Sequence, residues 1–528
     1  MFRAIRRNLV FTVGCFLVIA SGCGKSSSDR DAVIRVNRLP RITPDYAGVV
    51  IPPNIAPLNF RILEPSDKAT LQIASVSGSP IDLTTTDGSF RIPIIEWKRL
   101  LRENVGQALA MKVRAEYEGR WHTYQTIIDT ISRDSIDPYL AYRLINPAFH
   151  LWRVVGLYQR NIETFEETPI LTNRQTDGSC MNCHNFKGGD PRYMMMHIRG
   201  GPASGTLIRR NGEVRKVNTA TIFNRAGVYP AWHPNGNIIA FSVNKLSMFF
   251  HSNGECRDVI DAGSDIIIYN IDENMISTCP DIANPNRMET FPCWSPDGKA
   301  LYFCAANALD SFWTDQTGRK ELSWKKIRYD LMRIPYDPQT GSWGKLETVL
   351  SAKDFGGSIS EPRVSPDGRS VLFTGSDYSS FPIYLNSANI YLLDLGTKRF
   401  KKLECNSDET DSFHSWSENG RWFVFSSKRD NGFSARPYFS HLDESGVSSK
   451  PFVLPQEDPS FYETFLKTYN VPEMVTGRID VDPREWAKVA MGKKVYAAKL
   501  DPQVKNNPFF HLTPQKPEGP DIYEKAPR

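Results

Sequence analysis

The sequence predicts an all-β chain, a β-propeller preceded by a small β-sandwich-like domain. Three observations carry that expectation: a turn motif recurs in one register, Pro and Gly are abundant, and the chain is long. The 36 Pro and 35 Gly imply many turns and short strands. At 528 residues the chain exceeds what one hydrophobic core usually fills, so several domains or a large repeat fold are required.

Four segments share the turn motif. They are Ala231-Trp232-His233-Pro234-Asn235-Gly236, Cys293-Trp294-Ser295-Pro296-Asp297-Gly298, Val364-Ser365-Pro366-Asp367-Gly368 and Trp416-Ser417-Glu418-Asn419-Gly420. In each, a Phe follows the Trp or Val by nine positions: Phe241, Phe303, Phe373 and Phe425. Pro-Asp-Gly and Pro-Asn-Gly supply the backbone angles of tight turns, and the β-branched and aromatic flanks have strand character, so each unit reads as a β-hairpin. A second strand pair follows each hairpin, clearest at Ile390 to Leu395 and Phe400 to Leu403, which makes four strands per unit. Spacings of 62, 70 and 52 residues between successive motifs fit propeller blades with loop insertions.

The turn Trp294 to Lys299, Trp-Ser-Pro-Asp-Gly-Lys, resembles the hallmark of TolB-like propellers with WD40-like repeats. The resemblance covers about Asn146 to Pro455 and implies a six-bladed ring. The strand pair Trp152 to Tyr158 and Glu166 to Leu171 is expected to complete a last blade with strands from elsewhere in the chain.

The remaining organisation follows from local pattern. Residues 57–145 alternate at Asn59 to Leu63, Thr70 to Ala74 and Met111 to Tyr117, with one helical insertion near Trp97 to Glu103, and read as the sandwich-like domain. Residues 146–455 are assigned to the propeller. Residues 456–528 are expected to form a tail, helical at Pro459 to Thr468, that wraps the propeller and carries no chemistry.

Residues 1–22 form a targeting segment, with Arg3, Arg6 and Arg7 ahead of an apolar run too short to span a bilayer as a mature helix. The run ends in Ala20-Ser21-Gly22-Cys23, which resembles the lipobox of bacterial lipoproteins. The resemblance implies export, lipid on Cys23 and a tether over residues 23–56. Gly24 rather than Asp after the lipidated cysteine favours the outer membrane, facing the periplasm, over the inner. Removing residues 1–22 deletes three Arg and no acid, which takes the net charge from +5 to +2. No basic track remains, so nucleic acid is not an expected partner.

Cys180-Met181-Asn182-Cys183-His184 is the C-x-x-C-H pattern of c-type haem attachment, in which both thiols add to haem vinyls and the histidine ligates iron. One helical turn would bring the two sulfurs under neighbouring vinyls. With nine Cys and nine His in 528 residues, chance supplies roughly 0.003 such matches. A thioredoxin-like pair would need a βαβ unit that this region lacks, and zinc would need a second ligand pair.

Phe186 and Gly188-Gly189-Asp190 fall near the positions of a blade Trp and its turn, so the haem site is grafted onto a fifth hairpin. The strand Tyr193 to Ile198 then places Met195 or Met196 where other blades have Phe. Met196 is the expected sixth iron ligand, as the resemblance to haem-bearing TolB-like sequences implies, with Met195, His197 and His233 as alternatives. Cys256, Cys279, Cys293, Cys304 and Cys405 are an odd set; Cys293 and Cys304 flank a hairpin and are read as two buried thiols rather than a disulfide.

No G-x-S-x-G elbow or H-E-x-x-H helix is present, and Gly22 to Ser26 only imitates a phosphate loop. The expected function is a lipid-anchored monohaem c-type cytochrome, iron-containing, passing electrons to a partner protein. Two other classes are kept open: a binding or assembly propeller in which haem is structural, and a haem enzyme such as a peroxidase, or a sensor, which requires an open sixth position.

Overall fold

The structure is a computed structural model that describes residues 33–147, 154–250, 257–308 and 323–510. The targeting segment, Cys15, the lipidation candidate Cys23 and Cys256 lie outside these residues.

Six sheets form the blades, each with its innermost strand lining a central channel. The innermost strands are β1 (Cys180–Lys187), β2 (Val228–Trp232), β3 (Arg287–Trp294), β4 (Ser358–Val364), β5 (Asp411–Trp416) and β6 (Thr468–Val475). Each touches the next, and β6 touches β1, which closes the ring. The fold is a six-bladed β-propeller.

The turn motif earns its recurrence by local hydrogen bonding. In the third blade Ser295 Oγ donates to Asp297 Oδ1 at 2.6 Å, and the amides of Lys299 and Ala300 donate to Asp297 and Ser295 at 3.0 Å each. Gly298 takes the left-handed conformation, with φ 70°, that lets the chain reverse within the motif. The same bonds recur about Ser365 and Asp367 and about Ser417 and Asn419.

Ring closure departs from the expected domain limits. The last blade takes its three outer strands, Tyr139–Ile145, Gly156–Asn161 and Glu167–Thr172, from the chain before the first hairpin, and its innermost strand β6 from the tail. The tail is therefore structural at its heart, and the expected helix at Pro459 to Thr468 shrinks to Phe461–Thr464. Joining the ends of the chain through one shared sheet removes the open edges that an unclosed ring would expose. Farther on, the tail does wrap the ring. Tyr496–Ala497 and Lys499–Leu500 add parallel to the outer edges of the first and second blades.

The N-terminal domain also starts earlier than expected. Ile34–Arg35, Ile42–Thr43 and Val50–Ile51 are strands of its two sheets, so much of the supposed tether belongs to the sandwich. Its helix α1 (Ile94–Glu103) buries Trp97, Leu100 and Leu101, and Trp97 Nε1 donates to Ile55 O at 3.0 Å. One apolar cluster runs from this domain into the fourth and fifth blades. Trp422 Nε1 donates to Asp134 O at 2.9 Å across the junction. Cys293 and Cys304 are buried free thiols, as expected.

Candidate functional site

Every innermost strand carries a β-bulge near the same level of the channel. In β1 the register breaks between Met181 and His184, in β2 between Val228 and Ala231, and correspondingly in the other four. Tyr229, Phe291, Glu361, Phe413 and Val471 open their bulges with φ between 45° and 53°. Left-handed backbone at aromatic and β-branched residues costs roughly 1–3 kcal/mol each. These five bulges and that of β1 all contribute side chains to one space.

That space is a pocket open to solvent, about 890 Å³ when its open mouth is counted with it. One wall is aromatic. Tyr229 and Phe291 lie 4.7 Å apart between ring centroids, and Phe381, which joins this wall, stacks on Tyr384 at 6.0 Å. The other wall is polar, formed by Arg143, His184, Glu361, Arg363, His414 and Glu473.

Cys183 and His184 both line this cavity. Burial pushes the Cys183 thiol up. His184 is 3% exposed, and neither ring nitrogen has a hydrogen-bond partner. Burial, reinforced by the charges of Arg143 and Arg363, lowers its pKa to about 3, so the imidazole is neutral, the form that ligates a metal.

The motif is not helical. Cys180 to Lys187 is a strand, and in a regular strand residues three apart face opposite sides. The bulge corrects the phase. Cys180 stands across from Arg199, while Asn182 and Cys183 share the place across from His197, two residues along the partner strand, so both cysteines fall on one side. Cys180 itself is half-buried and lies outside the cavity lining.

The residues weighed as sixth ligand lie elsewhere. Asn185, not Phe186, occupies the blade Trp position: it pairs with Met195 as Trp232 pairs with Ile239. The paired residues are ten positions apart in the first hairpin and seven in the second, because the chain after Pro191 makes extra length before rejoining the ladder. His197, rather than Met195 or Met196, therefore stands opposite the bulge. Its counterparts are Phe241, Phe303, Phe373, Phe425 and Tyr142, all buried.

Met196 lies directly across the ladder from His184 and packs among Met181, Phe186, Met194 and Ile198. Met195 points to the other face, beside Trp232 and Ile239. His197 Nδ1 meets Thr206 Oγ1 at 3.1 Å. His233 accepts from Asn235 N at Nδ1 and so donates from Nε2 to Gly298 O at 2.9 Å, linking two blade turns. None of the four lines the cavity.

Sequence reasoning missed Arg143, Glu361, Arg363, His414 and Glu473. Glu473 accepts from Asn185 Nδ2 at 2.9 Å and from Phe186 N at 3.0 Å, and burial raises its pKa to about 7. A signal for these positions was present: Tyr229-Pro230, Phe291-Pro292, Glu361-Pro362 and Val471-Pro472 repeat one dipeptide at the bulge. Pro fits there because the bulge leaves an N–H outside the ladder. Val471-Pro472 thus marks the tail as a blade strand.

No known protein-family description and no curated protein matches the chain. Among solved structures it is similar to an oligogalacturonate lyase in complex with manganese, at 12% identity and TM-score 0.24, over 55% of each chain. It therefore spans about half the length of that protein. It is also similar to the Dos1 propeller, at 14% identity and TM-score 0.27, over 46% of this chain and 66% of that one. For an oligogalacturonate lyase from Vibrio parahaemolyticus the values are 12% and 0.31, over 72% of this chain and all of that one. The propeller assignment rests on the closed ring of sheets.

Proposed function

We propose that Cys180 and Cys183 bind one haem c covalently and that His184 ligates its iron, making the chain a lipid-anchored monohaem electron carrier. The observation that carries this reading is the pair Cys183 and His184, a thiol and an unpartnered neutral imidazole turned into one half-aromatic cavity. Leaving a buried nitrogen unbonded costs about 1–3 kcal/mol, which a ligand at that nitrogen offsets. Haem, when bound, supplies one-electron exchange between ferrous and ferric iron.

The chain's own residues suit that group. Each thiol can add its S–H across a vinyl, and the bulge keeps both on one side of β1. The wall of Tyr229, Phe291 and Phe381 offers apolar surface to a flat macrocycle and excludes water. Arg143 and Arg363 place positive charge beside it, which suits carboxylate substituents. Lipid on Cys23 would hold the carrier at the outer membrane, and the TolB-like turn at Trp294 to Lys299 fits a scaffold that presents a face to a redox partner protein.

The test is expression with haem-maturation machinery, denaturation and pyridine haemochrome spectroscopy. One covalent haem per chain is expected. A colourless denatured chain rejects the reading.

A further inference from the structure

The six bulges are internal copies of one another, so each position can be compared six ways. At the second bulge position four strands carry Pro230, Pro292, Pro362 and Pro472. The remaining two carry Cys183 in β1 and His414 in β5. Proline gives way only where a side chain able to bond a haem takes its place.

His414 lines the same cavity as His184 and is 2% exposed. Its Nδ1 meets Thr374 Oγ1 at 3.4 Å, and Thr374 gives its own proton to Glu361 Oε2 at 3.1 Å. With its proton on Glu361, the Thr374 hydroxyl is placed to accept from Nδ1, the tautomer in which Nε2 carries the free lone pair. Nε2 is buried and has no partner. A hydrogen bond that fixes the far nitrogen of an imidazole while the near one stays bare is the outer-shell arrangement of histidine metal ligands.

The strand carrying His414 also suits the position. β5 and β1 are separated by β6 alone on the shorter way round the ring, so the two imidazoles approach the cavity from different strands. Met196, by contrast, is the direct cross-strand neighbour of His184. Side chains leaving one face of a sheet side by side do not meet a planar group from opposite sides.

We propose that His414 Nε2 is the sixth ligand of the haem iron, giving bis-histidine coordination with His184. This inference rests on the haem reading above, and it implies a lower potential than a methionine ligand would confer.

The test uses the full-length, haem-loaded protein, with visible and electron paramagnetic resonance spectra of the oxidised state. The wild type is expected to be low-spin without a sulfur-to-iron charge-transfer band. His414→Ala is expected to turn high-spin and to regain the low-spin spectrum on adding imidazole, whereas Met196→Leu leaves the spectrum unchanged. His414→Met, which keeps a ligand of similar bulk, is expected to gain the sulfur-to-iron band even if the alanine variant folds poorly.

A haem-bearing wild type that is high-spin or shows the sulfur band overturns the assignment while leaving covalent attachment intact. So does a His414→Ala variant that stays low-spin. A colourless chain overturns both readings at once.

Discussion

Four innermost strands put proline at the bulge and two do not, and the contrast separates scaffold from site. In the proline strands the bulge only shapes the channel: a rigid residue without an N–H occupies a place where the ladder needs none. In β1 and β5 the same backbone presents Cys183 and His414 instead. The scaffold is thus a repeated geometry that accepts Pro, Cys or His at the bulge, and the proposed chemistry would enter by substitution within it.

The largest effect that sharpens this comparison comes from the tail. A chain ending at Lys467 lacks β6 with Val471-Pro472 and is expected not to reach a closed fold, read as loss of a cooperative melting transition by circular dichroism. If that chain melts like the full one, β6 is an accessory and not the sixth copy.

Next comes conversion of a site strand into a scaffold strand. Cys183→Pro matches four natural copies, so it is expected to fold with a melting temperature within a few degrees of the parent while losing the covalent haem attachment expected of the native chain. Measurement combines a melt with haem staining of a denaturing gel. Misfolding of this variant would break the equivalence of the bulges.

A smaller effect separates the rings opposite the bulges. Phe303→Ala empties a fully buried site and is expected to cost about 3–5 kcal/mol in urea unfolding. His197→Phe installs the ring that four other blades carry and is expected to cost at most about 1–3 kcal/mol, from the Thr206 hydroxyl left without its partner. An equal loss for both would mean that His197 does more than pack.

The smallest effect lies outside the ring, in the N-terminal domain. Asp129 accepts from the amides of Gly48 and Val49 at 2.8 and 3.0 Å, yet burial raises its pKa to about 7. The folded state therefore holds this proton more tightly than the unfolded chain. Stability from this group is full below about pH 4, falls as pH rises to about 7, and is flat above; the total is a few kcal/mol at most, at ~1.4 kcal/mol per pH unit. Asp129→Asn is expected to flatten that slope in denaturant titrations across this range.

Legibility differed between elements for physical reasons. The hairpin turns were plain because Ser295, Asp297 and Gly298 satisfy one another locally, within six residues. The C-x-x-C-H pattern was plain because its five residues, Cys180 to His184, are contiguous. The first hairpin misled because Gly188-Gly189 resembles the other turns while its arm runs longer, and a strand has no local mark of its register. The N-terminal strands at Ile34 and Ile42 are two residues each, too short for an alternation to show.

The sequence by itself determined the repeat, the turn chemistry and the C-x-x-C-H pattern, since each depends on residues a few positions apart. Only the tertiary structure decided that residues near 184, 361, 414 and 473 meet in one cavity, and that the tail closes the ring. Closure joins strands hundreds of residues apart, and a contact of that separation leaves its trace in packing and not in local pattern.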